Sequence, residues 1–171
     1  MEEKTLLEAS LLFPVRDGRV HLALKKRKIG TGCWNGYGGG PEPEDGGDMR
    51  VTALRELLQE GRVVGDPHHL KKVATCYFMN EKTDGTAFTV KVHAYILSDW
   101  DGELQATEEM GAPKQFDVGN LPIESMMPAD SYWIPRVLAG ETGVVRAHYA
   151  PLQKELVGPV EFIPTPADEL P

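Results

Sequence analysis

Glu56 and Glu60 stand four residues apart in the run RELLQE, so on a helix their carboxylates project from the same side. Two carboxylates placed this way could share a hard divalent cation such as magnesium, which prefers oxygen ligands and keeps several waters and substrate phosphates. For an isolated pair the ordinary alternative is a solvated helix face, with Arg55 pairing Gln59 or Glu60. Upstream lies GYGGGPEPEDGGD, glycine-rich and then acidic, from Gly36 to Asp48. It lacks both the Gly-Lys-Ser/Thr ending of a triphosphatase phosphate loop and the glycine spacing of a dinucleotide fingerprint. On their own, its glycines predict only a turn.

Several elements must position these groups. Asp48 is a candidate N-cap, and Met49, Ala53, Leu54, Leu57 and Leu58 form an apolar stripe near the 3.6-residue period. A helix is therefore expected from there to Gly61, which ends it, with Val63-Val64 leading out. Before it, ASLLFPVR and RVHLALKK flank Asp17-Gly18, a two-residue hairpin signal. Alternation in the second run gives one apolar face and leaves the other to present Lys25. After the helix, a second hairpin is expected from Ala74 to Leu97 with its turn at Asp84-Gly85, and Glu108 and Glu109 fall in a polar loop. SYWIPRVLAG predicts a short helix interrupted by Pro135. From Pro151 onward the chain reads as one or two short strands and an acidic, Pro-rich tail, with about residues 155–171 mobile. The pattern is α+β, an α/β/α arrangement around a mixed sheet, in one domain over residues 1–171.

Bulk properties narrow the function. A chain of 171 residues can bury one sizeable core. The acidic start and the lack of a long apolar run predict a cytoplasmic protein with no membrane partner. The net charge of −8 argues against duplex nucleic acid, whose binding needs Lys and Arg on phosphates. An anionic small substrate would need the basic cluster Lys25, Lys26, Arg27 and Lys28, or a cation held by carboxylates. Cys33 and Cys76 are expected to be buried or idle thiols. The histidines, including His68 and His69, are expected to be surface or structural groups.

Together, Gly38-Gly39, the acidic loop, Arg55-Glu56-Leu57-Leu58-Gln59-Glu60 and Val63 resemble the Nudix box of the MutT-like Nudix hydrolases. LALKKRKIGTGCWNGYGG and MMPADSYWIP resemble segments of the branch that cleaves oxidised purine nucleoside triphosphates in animals. The resemblance covers most of residues 5 to 150. The box is degenerate here: its first glutamate falls on Gly47 and its opening glycine on Pro41. A two-residue insertion accounts for both, with Glu44 or Asp45 as the substitute carboxylate. Gln59 stands where the box has a glutamate and Arg62 where it has its last glycine. An amide keeps a carbonyl ligand but has neither charge nor general-base capacity.

The resemblance implies a Nudix fold and magnesium-dependent hydrolysis, with manganese as the alternative ion. The metal ligands would be Glu56, Glu60, Glu109 and the Gly38 carbonyl. Glu109 assists the metal or activates water, and Arg55 joins the catalytic group by orienting the carboxylates. The base pocket it implies contains Lys25, Asn35, Asp130 and Met127, with Ala129 in place of a second Asp and Met127 in place of a stacking Trp. Trp34, Tyr132 and Trp133 are expected to pack. The expected reaction converts a nucleoside triphosphate, an oxidised purine dNTP for nucleotide-pool sanitation, to monophosphate and pyrophosphate, by a monomer or homodimer. Two alternatives stay open. One is cleavage of a nucleotide sugar, a dinucleoside polyphosphate or an RNA cap. The other is a Nudix-fold nucleotide-binding protein with weakened catalysis.

Overall fold

The computed structural model describes residues 5–27 and 29–171; Lys28 of the basic cluster and residues 1–4 of the acidic start lie outside them. In chain order the strands are β1 (Glu8–Arg16), β2 (Arg19–Leu24), β3 (Trp34–Asn35), β4 (Val64–Gly65), β5 (Leu70–Glu81), β6 (Ala87–Leu97), β7 (Trp100–Asp101), β8 (Lys114–Asp117), β9 (Gly143–Tyr149) and β10 (Glu161–Pro164). Helix α1 (Met49–Gly61) follows β3, and α2 (Asp130–Leu138) precedes β9. The main sheet runs β10-β9-β5-β6-β1-β2-β3, with β8 also on β2, and β4 pairs with β7 separately. Pairing is parallel for β1 with β6 and for β5 with β9, and antiparallel elsewhere, so the sheet is mixed.

Both expected hairpins form. Val15 faces Val20 across the Asp17-Gly18 turn, where both turn residues have positive φ, as a tight turn of this handedness requires. The second hairpin pairs Glu81 with Ala87 around Asp84-Gly85, whose Asp84 side chain accepts from Thr86 N at 2.9 Å.

Because strand side chains alternate, each strand feeds both faces of the sheet. Leu12 and Ala23 belong to a core that holds Ala53 and Leu57 of α1, Tyr95, Leu97 and Trp100. Their neighbours Phe13 and Leu22 belong to the opposite core, with Trp133, Ile134 and Val137 of α2, Val145 and Tyr149. The result is the expected α/β/α sandwich. Leu57 is fully buried, and its truncation to Ala would cost about 2–5 kcal/mol.

Three local expectations need correction, and the role of Gly61 is refined. Helix α1 ends at Gly61 as expected, but the residue that takes the left-handed C-cap conformation is Arg62, at φ 63°. A Cβ on Gly61 would lie 2.7 Å from Leu104 and 3.2 Å from the Tyr37 ring, so that glycine allows close packing instead of a turn. Leu58 of the apolar stripe is 46% exposed, since the stripe is wider than the face the sheet covers. Tyr132 is exposed on the outer face of α2, unlike Trp133. Pro135 sits inside α2 without ending it, and the helix runs on to Leu138. The short strand expected after Pro151 is β10, on the sheet edge, and the Pro171 carbonyl accepts from Lys72 Nζ and Thr75 Oγ1 at 2.6 and 3.0 Å.

Candidate active site

The glycines of the opening loop serve a close approach, not a phosphate cradle. Residues 36–40 run along β1, with Leu12 N donating to Tyr37 O, Tyr37 N to Leu12 O and Ser10 N to Gly39 O. A Cβ on Gly36 would lie 2.7 Å from Leu12 O, and one on Gly38 would collide with Ser10 O. A Cβ on Gly39 would fall 2.6 Å from the Glu56 carboxyl carbon. Bare backbone therefore meets α1 where its carboxylates emerge, and Gly38 N donates to Glu60 Oε1 at 2.8 Å.

Asp48 caps α1 by accepting from Arg50 N, which fixes the rotation of the helix. Buried Glu60 faces the glycine loop and Glu56 is half-buried beside it. The loop between β7 and β8 is pinned at two places. Thr107 Oγ1 donates to Glu60 O at 3.0 Å and Gln105 N to Gly61 O, while Gly111 N donates to Leu24 O and Lys26 N to Glu109 O. This pinning places Glu109 among the neighbours that act on the Glu60 carboxyl.

Burial, with Glu56 and Glu109 as neighbours, pushes the Glu60 carboxyl up to about 8 against the opposing pull of the Gly38 N–H. Burial also raises Glu56, with Arg55 opposing and Glu109 adding to the rise. Converging carboxylates with uncompensated charge beside a bare backbone suit a hard, oxygen-seeking cation. Two members of the basic cluster are drawn elsewhere: Lys26 Nζ donates to Thr107 O and Arg27 pairs with Glu108.

Arg55 touches that group only through Glu56 and is held mainly by Asp45. Its Nε and one terminal nitrogen bind the two oxygens of Asp45 at 2.9 Å each, and the same terminal nitrogen donates to Gly40 O at 3.0 Å. Its other arm reaches Glu56 Oε1 at 3.0 Å and Gln59 Oε1 at 3.2 Å. Asp45 also accepts from Glu42 N and Thr52 Oγ1. The Arg55 hydrogen bonds, more than any other contact, hold the Asp45 carboxyl far below the ordinary range. Of the two carboxylates left open by the inserted loop, the buried one is Asp45, while Glu44 is exposed. Asp45 is engaged with the arginine and does not stand among Glu56, Glu60 and Glu109. Exposed Gln59 completes the arginine's contacts.

A cavity of about 220 Å³ runs from this group into the space between the sheet and α2. Of the residues singled out in the sequence, Lys25, Asn35, Gly38, Glu60, Met127 and Asp130 line it; Arg55, Glu56 and Glu109 do not. Asn35 Oδ1 accepts from Gly36 N at 2.9 Å, which fixes the amide. Asp130 is buried and accepts from Met127 N at 3.2 Å, and burial raises its carboxyl to about 7. At neutral pH it can therefore donate or accept. Met127 Sδ would lie 3.1 Å from a Cβ on Gly30, so the methionine closes over a glycine turn at the cavity's edge. Ala129 is buried and adds no polar group.

Over 129 residues the chain is 33% identical to the oxidized purine nucleoside triphosphate hydrolase of Danio rerio, covering 75% of this chain and 78% of that protein. Identity and coverage are the same for the enzyme of that name from Mus musculus. This chain belongs to the MutT-like Nudix hydrolases. It lies in the branch of those two relatives and is a pyrophosphohydrolase acting on phosphoanhydride bonds. The fold agrees: the mutator MutT protein of Bacillus halodurans superposes with a TM-score of 0.76 at 20% identity, over 94% of this chain and all of that one. No family model matches the chain. No helix among the described residues is long and apolar enough to cross a membrane.

Sequence reasoning missed several supporting residues of this Nudix hydrolase: Thr52, which braces Asp45, Thr107, which staples the Glu109 loop to α1, and Ser10, whose hydroxyl donates to Gly39 O at 3.3 Å. No motif marks the hydroxyls, because each acts through a partner distant in sequence. Asp45, one of the two substitutes the insertion left open, is set apart from Glu44 only by its burial.

Among the described residues, one group of three metal-binding types brings its ligand atoms within 4.8 Å of one another: Asp66, His69 and Asp99. It shares no residue with α1. Asp66 there accepts from His68 N and Asp99 from Arg16.

Proposed function

We propose that this Nudix hydrolase cleaves a nucleoside triphosphate, an oxidised purine dNTP, to the monophosphate and pyrophosphate. The observation that carries the reading is one cavity lined both by Glu60 and Gly38, beside the α1 carboxylates, and by Asn35, Met127 and Asp130, the last at the start of α2. A phosphate chain and a purine need both kinds of lining. The names of the two curated relatives support the substrate class.

In this reading Glu56, Glu60, Glu109 and the Gly38 carbonyl would hold magnesium, with manganese as the alternative ion. The bound ion supplies charge neutralisation on the phosphates and a water of lowered pKa. Asp45 holds Arg55, and Arg55 holds Glu56 in place. Glu109, on its pinned loop, is set to take the proton of the attacking water, and Lys25 supplies positive charge along the cavity. Asn35 and Asp130 take the base edge, and Met127 covers the ring with soft contact. Gln59 acts on Arg55, so its lost charge does not reach the metal directly.

The test is a panel of canonical and oxidised nucleoside triphosphates incubated with and without magnesium. We expect metal-dependent release of pyrophosphate and the monophosphate, fastest for an oxidised purine. No turnover of any triphosphate, together with cleavage of a nucleotide sugar, dinucleoside polyphosphate or RNA cap, would replace this reading.

A further inference from the structure

The segment after β9 returns to the cavity through backbone that its residues do not favour. Leu152 and Gln153 follow one another at φ of 64° and 56°, the left-handed region that disfavours side chains with a Cβ. Such a pair persists only where the surroundings hold it, and it gathers at functional positions. The anchor is Asn80 at the end of β5. Gln153 Nε2 donates to Asn80 Oδ1 at 2.5 Å, and the buried Asn80 amide donates to Phe78 O at 2.9 Å. Gln153 N donates to Ala150 O at 3.1 Å, which closes the turn.

Gln153 and Phe78 both line the cavity, together with Asn35 and Asp130. With one Nε2 N–H tied to Asn80, Gln153 has left to offer its second N–H and the acceptor Oε1, to which none of the described residues donates. Among the cavity's other polar side chains are Asn35 and Asp130, while the Tyr149 hydroxyl is taken up by Ala129 N and Ala129 itself brings no polar side chain. We infer that Gln153 reads the nucleobase: its Oε1 accepts a hydrogen bond from an N–H donor on the base edge, and Asn80 positions it. The inference rests on the nucleotide reading above and adds a selectivity to it, for purines that carry an amino or lactam N–H. Polar readout is thus supplied from the sheet side as well as from α2.

The test compares kcat and KM, with magnesium, for the triphosphates of an oxidised guanine, guanine, adenine and unsubstituted purine. Gln153→Met keeps the length of the side chain and removes the amide. It should raise KM for the preferred donor-bearing base about tenfold, the effect of one lost hydrogen bond, with kcat and the unsubstituted purine far less affected. Asn80→Ala should shift the same KM in the same direction, and adding Gln153→Met to it should give less than the product of the two effects, the mark of a shared interaction. An active parent whose Gln153→Met variant keeps its KM, or loses affinity for all four bases equally, overturns the inference and leaves the function standing. A parent that turns over none of the four removes both.

Discussion

The two ends of the cavity are held by different means. At the α1 end the carboxylates are fixed by main chain and by a chain of charges: Gly38 N on Glu60, then Asp45 on Arg55 and Arg55 on Glu56. At the α2 end the polar groups are few and rest on neutral contacts, with Met127 N on Asp130 and Asn80 on Gln153. The first end tolerates change in its supports as long as the geometry survives. The inserted loop still delivers a carboxylate to Arg55, although the box's own position holds Gly47. At the second end, in the proposed reading, Ala129 and Met127 stand where the resemblance implies an acid and an indole. Under the proposed function, chemistry at phosphorus would constrain one end tightly, while base choice would leave the other adjustable.

Substitutions at the two ends should separate in kind as well as in size. The largest effect belongs to Glu60→Gln. Activity should fall by more than the roughly 100-fold typical of outer partners of a metal site, measured as kcat/KM. Asp45→Ala should come next. It frees Arg55 to leave Glu56, lowering the unfolding midpoint by on the order of 5 °C and activity about tenfold. Asp45 has a depressed carboxyl, so its stabilisation is present above the ordinary Asp range and is lost as pH falls below about 4. The variant should therefore show a flatter acid limb. Gly39→Ala should cost about tenfold in kcat with little change in midpoint, because its Cβ displaces the Glu56 carboxylate, not the backbone. The smallest effect is expected of Met127→Trp, which should lower KM for purines about threefold by stacking and leave kcat alone. A change at the α2 end that moved kcat as strongly as Gly39→Ala would break the division.

The sequence carried most of the fold in its local signals. Asp17-Gly18, Asp84-Gly85 and the Asp48 cap each act within a few residues, and each set the element expected of it. Glu56 and Glu60 were legible as a pair from their spacing alone. What stayed hidden depends on contacts far apart in the chain. Gly61 looked like a helix stop, but its role is set by Leu104 and Tyr37, and Arg62 takes the turn. The glycines at 36, 38 and 39 looked like a turn, and the need for them comes from β1 and Glu56. Asp45 and Glu44 were indistinguishable until burial and Thr52 separated them. Gln153 carries no motif, because its place at the cavity comes from Asn80, 73 residues earlier.

The most direct test of the metal end is the unfolding midpoint with and without magnesium, taken at pH 5.5 and pH 8.5. In the folded protein the Glu60 carboxyl lies at about 8, above its unfolded value, so folding favours the protonated form. Without metal, stability should therefore fall as pH rises from the ordinary glutamate range through about 8. Magnesium needs the ionised carboxylate and stabilises whatever state it binds, so its effect should be large at pH 8.5 and small at pH 5.5. Glu60→Gln should remove both the alkaline loss and the magnesium response. Equal magnesium shifts at the two pH values, or a full response in Glu60→Gln, would contradict the account.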